Sequence, residues 1–186
     1  VMSKDNIKVK VTNLTKKFGD LLVLDDISFD VKEGEFLCIV GPTGCGKTTF
    51  LNSLTKLYDI TAGEILVNGE PVDLMKHNIA YIFQEYSTFP WLKVEENVKY
   101  GLKIKKLPEA EIQKKADEVI KMVGLEEYRN YYPDQLSASM LQRVVIARAF
   151  AVQPELLIMD EPYGQLDISC LLYTSDAADD LIGGDL

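Results

Sequence analysis

A chain of 186 residues, 47% of them hydrophobic and 26% charged, has the size and composition of an ordinary globular protein with one good core, or one core and a small satellite. Its net charge of −9 argues against a general nucleic-acid binder; four of the acids fall in the last seventeen residues, and without them the net is −5. No apolar run approaches bilayer-spanning length and residues 1–5 show no signal-like apolar stretch, so any membrane contact is expected to go through a partner. The cysteines, Cys38, Cys45 and Cys170, form neither a metal spacing nor an even disulfide set, which fits a reducing cytoplasm.

Ile7–Val11 alternates Ile, Lys, Val, Lys, Val, the period of a half-buried strand. Leu14–Asp20 is read as a turn, and Val23–Val31 as the returning strand. Phe36-Leu37-Cys38-Ile39-Val40 is a continuous apolar run, expected to be a buried parallel strand with Cys38 in its core. Thr48–Lys56 is read as a helix. Gly63–Val72 signals a β-hairpin, because Asn68-Gly69 suits a type I′ turn. His77, on a polar stretch, is expected to be a solvated surface residue. Ile79–Phe83 is a further strand ending on Gln84. From Val94 the pattern turns helical. Pro108 opens a helix with Ile112, Ala116, Val119, Ile120 and Val123 on one face and Gly124 as its stop, and Ser139–Ala151 is a third helix. Leu156–Met159 is a buried strand ending in Asp160-Glu161. Strands alternating with helices predict a doubly wound α/β core, and the consecutive helices between Glu95 and Ala151 predict an inserted helical subdomain.

Gly41-Pro42-Thr43-Gly44-Cys45-Gly46-Lys47-Thr48-Thr49 fits G-x-x-x-x-G-K-[ST], set between an expected strand and an expected helix. That setting is what phosphate binding needs, because a helix N-terminus offers unpaired N–H groups and a positive dipole end. Lys47 is a point charge for the β/γ-phosphates, and the Thr48 hydroxyl can ligate Mg²⁺. Cys45 sits inside this loop as a reactive bystander rather than a catalytic thiol. An apolar strand ending in two acids downstream of such a loop supplies the other half of an ATPase: Asp160 for the Mg²⁺ water shell and Glu161 to polarise the attacking water.

Leu136-Ser137-Ala138-Ser139-Met140-Leu141-Gln142-Arg143, followed by Val144–Phe150 and the Leu156–Pro162 strand end, resembles the signature-to-Walker-B block of ABC-transporter ATPases. With the loop and Gln84 in family order, the resemblance covers about residues 7–169. It implies a P-loop NTPase (RecA-like) α/β core with an N-terminal antiparallel β subdomain and a helical subdomain at about 88–151. It also implies that Phe18 stacks on adenine, with hairpin core packing as its rival. Gly41–Thr49 would cradle the phosphates and Gln84 would sense the γ-phosphate and touch the metal. Ser137, with Ser139 beside it, would cap the γ-phosphate held by an opposite subunit, and Asp167 would cross the dimer interface. The stretch from Phe83 to Asn97 looks like the nitrate/sulfonate/taurine importers, in which the Gln84–Asn97 surface meets a permease. Phe89 and Trp91 are its apolar anchors, unless both fill the subdomain core. The expected partners are a second ATPase subunit head to tail, a membrane permease, indirectly a solute-binding protein, and no nucleic acid. The expected place is peripheral, on the cytoplasmic face of the membrane. A soluble ABC-type ATPase without a transport role, or an inactive fragment, is the alternative.

Two departures stand out. Ala138-Ser139 replace the family's two signature glycines, and each added Cβ narrows the approach of backbone N–H groups to phosphate. The family's switch histidine, one strand after Asp160-Glu161, has no counterpart, and the strands carrying Lys47 and Asp160 are expected to lose a shared neighbour. Cys170–Asp179 reads like a translated sequencing adapter, so residues 170–186 are expected to be a read-through tail on a truncated gene, after an ATPase domain at 1–169.

Overall fold

The computed structural model describes residues 6–161. Asp167, Cys170 and the 170–186 tail lie outside these residues. The chain divides after Ile79 into two compact units.

In the first unit, strands β1 (Ile7–Phe18), β2 (Leu21–Lys32), β3 (Ala62–Val67) and β4 (Glu70–Pro71) form one antiparallel sheet in the order β2-β1-β3-β4. Val9 faces Val31 on one side and Val67 on the other, and Val11 faces Phe29 and Ile65, so alternate residues of β1 build the buried face. Helix α1 (Lys47–Leu54) buries Phe50 and Leu54, and the Phe50 ring lies 5.5 Å from that of Phe29 on β2. Asn68 (φ 54°) and Gly69 (φ 79°) turn β3 into β4 with both central residues left-handed, as a type I′ hairpin requires.

Leu14–Asp20 is not the expected turn: β1 runs on to Phe18 and reverses at Gly19-Asp20. Its polar residues looked like loop, but the neighbouring strands satisfy them. Thr15 Oγ1 accepts from Asp26 N–H (3.3 Å), Lys17 N–H donates to Thr61 Oγ1 (2.9 Å), and Asn13 Nδ2 donates to Asp26 Oδ1 (2.6 Å). Asn13 and Asp26, both left-handed, take up the register shift as a bulge.

Phe36–Val40 is likewise not a buried strand. It belongs to neither sheet, Cys38 is exposed, and Phe36 and Val40 are 78% and 83% exposed. A parallel strand is stabilised by neighbours on its edges and helices on its faces. The described residues give this segment no ladder partner. His77 departs in the opposite direction: it is buried, and its Nδ1 accepts from Asp73 N–H at 3.1 Å, closing a tight turn with His77 N–H on Asp73 O at 2.8 Å.

In the second unit, helices α2 (Val94–Ile104), α3 (Glu109–Met122) and α4 (Ala138–Ala151) enclose a core of Val98, Leu102, Ala116, Ile120, Leu125 and Val144. Pro108 precedes α3 and Gly124 ends it, as the sequence predicts. Strands β5 (Ile79–Ile82) and β6 (Leu156–Met159) pair, and Ala80 and Ile82 pack on Val145 and Ala149, the other side of α4. Helix α4 is therefore apolar on two sides, one meeting helices and one meeting strands.

A charged lattice ties α2, α3 and the segment after α3 together. Lys99, with only 7% of its side chain exposed, contacts Glu95 at 2.8 Å and Gln113 at 2.5 Å, while Arg129 contacts Asp117 at 2.5 Å. The hydrogen bond from Lys99 holds the Glu95 carboxyl below its usual range, and that from Arg129 does the same for Asp117. Lowered folded-state values stabilise the fold above the ordinary carboxylate range and cease to do so as pH falls through them. Thermal unfolding followed by circular dichroism should therefore drop in acid, and Asp117→Asn should flatten that drop.

Candidate functional site

The phosphate loop is built from backbone. Gly46 caps α1 with φ 101°, and a Cβ there would meet Leu24 Cδ2 at 3.0 Å and the Val23 carbonyl at 3.3 Å, so only glycine fits. No side chain caps α1, and the first N–H groups of a helix have no acceptor within the helix itself. Phe50 N–H is the first to close on the helix, donating to Gly46 O at 2.8 Å. The Lys47 ammonium folds back over the loop and donates to Gly41 O (2.9 Å) and Pro42 O (3.2 Å), which sets its charge in the middle of the turn. Thr48 is exposed in the first turn, Thr49 is half-buried behind it, and Thr43, Gly44 and Cys45 are exposed around the rim. Phe18, 44% exposed, stands at the end of β1 with its ring edge-on to Tyr58 (5.4 Å) and Lys16 Nζ 4.6 Å from its centroid. It is not hairpin core.

The acidic half lies in the second unit. The C-terminal ends of β5 and β6 lie side by side, with Asp160 N–H donating to Ile82 O at 2.9 Å. Asp160 is 4% exposed, and its carboxylate accepts from the Tyr81 hydroxyl at 3.4 Å. Glu161 takes φ 46°, a left-handed conformation that costs a non-glycine residue roughly 1–2 kcal/mol. Its exposed carboxylate accepts from Gln84 Nε2 at 3.0 Å. The structure thus brings together Gln84, Asp160 and Glu161, and adds Tyr81. The strand pattern places Tyr81 two residues from Phe83 on one face, but nothing local marks it as a partner for an acid 79 residues on.

Each unit carries hard oxygen donors of the kind magnesium takes: the exposed Thr48 hydroxyl in the first, and the Gln84 amide and the buried Asp160 carboxylate in the second. No group of three His, Cys, Asp or Glu able to hold a metal occurs among the described residues.

Ser137 caps α4: its backbone is extended (φ −70°, ψ 161°), its Oγ accepts from Met140 N–H at 3.3 Å, and it lies 3.1 Å from Ser139 Oγ. Ala138 and Ser139 are ordinary helical residues, all three exposed, so no positive φ here demands glycine.

Between Gln84 and α2, the loop is held by Asn97, which is fully buried. Its Nδ2 reaches Phe89 O (3.1 Å), Leu92 O (2.9 Å) and Lys93 O (3.1 Å), and its Oδ1 accepts from Phe89 N–H (2.8 Å). The two aromatics differ in setting: Phe89 is half-buried against Tyr100 (4.4 Å), and Trp91 is 71% exposed. Asn97→Ala strands buried carbonyls and an N–H, and should lower stability by about 3 kcal/mol in urea unfolding while far-UV circular dichroism stays native.

A glycine-rich turn into a helix, together with an apolar strand ending in acids, defines a P-loop nucleoside-triphosphatase domain. Two solved structures share the fold. That of cbiO1 from Clostridium perfringens, part of the ABC transporter complex cbiONQ, superposes with a TM-score of 0.83 at 28% identity over 95% of this chain and 74% of that one. The ATP-binding cassette MJ0796, solved as a dimer in a post-hydrolysis state with ADP and Pi, gives 0.76 at 34% identity over 92% and 84%. The sulfate/thiosulfate import ATP-binding protein CysA of Synechocystis sp. is 40% identical over 164 residues, 87% of this chain and 46% of that protein. The spermidine/putrescine import ATP-binding protein PotA of Bacteroides thetaiotaomicron is 41% identical over 170 residues, 90% of this chain and 37% of that one. The chain thus spans less than half the length of these curated relatives. Residues 24–164 match the ABC transporter family, and the chain belongs to it as an ATP-binding domain.

Proposed function

We propose that this chain is the ATP-binding and hydrolysing part of an importer of a small charged solute. The observation that carries the reading is the loop of Gly41–Thr49, with its left-handed Gly46, uncapped helix end and inward ammonium. Its amides and Lys47 grip the β/γ-phosphates, and Phe18 offers the adenine an exposed ring face. Asp160 and Gln84 would hold a metal through its bound waters, and Glu161 draws a proton from the attacking water. Thr48, Gln84 and Asp160 are the residues that would hold magnesium, which would supply charge neutralisation on the phosphates. Positioning and charge compensation supply the rest of the rate.

Two copies pair head to tail, Ser137 and Ser139 of one meeting the γ-phosphate held by the other, with Asp167 at the seam. The dimeric ADP- and Pi-bound relative supports this pairing. The Gln84–Asn97 surface meets a permease at the cytoplasmic face of the membrane, and a solute-binding protein acts through that permease. No described helix is long and apolar enough to cross a membrane itself. Within this reading the Phe83–Asn97 stretch favours a nitrate-, sulfonate- or taurine-like anion. The relatives' names run from sulfate to a polyamine, which supports leaving solute choice to the permease. Equilibrium dialysis of the chain with Mg·ATP tests the proposal, and failure to retain nucleotide ends it.

A further inference from the structure

One half-buried charge takes no part in the site above. Arg148 lies in the last turn of α4, its Nη1 is buried without a hydrogen-bond partner, and burial pushes the guanidinium below its usual range. The helix C-terminus favours a cation there, but one end of a helix does not offset a desolvated fork. What the guanidinium touches explains its place. Nη2 donates to Ser87 Oγ at 2.7 Å across 61 residues of sequence, and the plane centre sits 5.1 Å from the Phe89 centroid. Phe89 in turn has its backbone pinned at both ends by Asn97, and its ring lies 5.6 Å from the exposed Trp91. A continuous set of contacts therefore runs from α4 through Arg148 and Phe89 to Trp91.

We propose that Arg148 is a positioning residue that locks the Ser87–Trp91 loop to helix α4, so that Trp91 moves with the helix that Ser137 caps. Eleven residues of helix put Ser137 and Arg148 about 16 Å apart along one stiff rod. A displacement at the Ser137 end reaches Trp91 through a rigid body and a fork, not through a flexible loop. The lock is read from contacts within the second unit. Its use, passing closure at Ser137 to a permease, rests on the function proposed above. Lysine cannot replace it: an ammonium can donate to Ser87 or sit over Phe89, and it has no planar fork with which to do both.

Trp91 is the sole tryptophan, so its indole reports the lock directly in the full chain. Time-resolved anisotropy is measured for wild type, Arg148→Met, Arg148→Lys, Ser87→Ala and the Arg148→Met/Ser87→Ala double variant, alongside binding of a fluorescent ATP analogue. The sub-nanosecond amplitude should rise about twofold in Arg148→Met, the change from an ordered to a mobile site. Arg148→Lys should follow it, Ser87→Ala should show a smaller rise, and the double variant should add nothing beyond Arg148→Met. Analogue affinity of the Arg148 variants should stay at the wild-type value. Unaltered indole motion in folded Arg148→Met, or full rescue by Arg148→Lys, overturns the proposal. Where Arg148→Met fails to fold, Ser87→Ala decides, since it removes only an acceptor: raised indole motion supports the lock and unchanged motion overturns it. Loss of the analogue from the wild-type chain would count against nucleotide binding and not against the lock.

Discussion

Lys47→Ala should weaken Mg·ATP binding roughly ten- to hundredfold, the value of a hydrogen bond to a charged group, and should cut turnover by a further 10²- to 10³-fold at saturating nucleotide. The first loss is ground-state grip and the second is charge that develops in the transition state, so Kd and kcat should both move. The structure explains why the fold should survive. Lys47 Nζ is held by the Gly41 and Pro42 carbonyls, which sit on an exposed rim and turn to water when the ammonium goes. Calorimetric titration with wild-type and variant chains, and steady-state turnover where it is measurable, check both halves. Equal retention of nucleotide by the alanine variant would remove the basis for every role assigned to the loop.

Glu161→Gln should separate the two functions that Lys47→Ala removes together. Turnover should fall by roughly 10²- to 10⁴-fold, the share a general base supplies, with nucleotide affinity kept. The amide is isosteric, and its oxygen can still accept from Gln84 Nε2, so the left-handed turn at Glu161 has no reason to relax. Single-turnover hydrolysis against equilibrium binding makes the measurement. Tyr81→Phe is the companion variant: it removes the hydroxyl that reaches Asp160 at 3.4 Å and leaves the ring packed 4.3 Å from Phe83. An effect on metal dependence with little on stability would place Tyr81 in the orientation of Asp160.

What the sequence made legible was local chemistry. The Asn68-Gly69 turn, the Pro108-to-Gly124 helix and the phosphate loop are each specified within a few residues. What it hid depends on neighbours distant in the chain. Leu14–Phe18 is strand because β2 and Thr61, just before β3, pair with its polar groups, and His77 is buried because a backbone N–H four residues earlier needs an acceptor. Phe36–Val40 reads as a strand by composition, yet composition cannot supply a ladder. Tyr81 with Asp160, and Arg148 with Ser87, are pairings that no spacing rule encodes. The two apolar sides of α4 are likewise told apart only by packing, one meeting helices and the other meeting strands.

Phe36–Val40 also has a bearing on handling. Five successive side chains that favour extended pairing, turned outward, are a template on which a second molecule can add itself, strand upon strand. Glu35 on one side and Pro42 on the other act as gatekeepers, since a charge and a missing N–H both interrupt such growth. Concentrated stocks of this polypeptide should consequently cloud with time and seed further clouding, and a lysine in place of Ile39 should keep them clear.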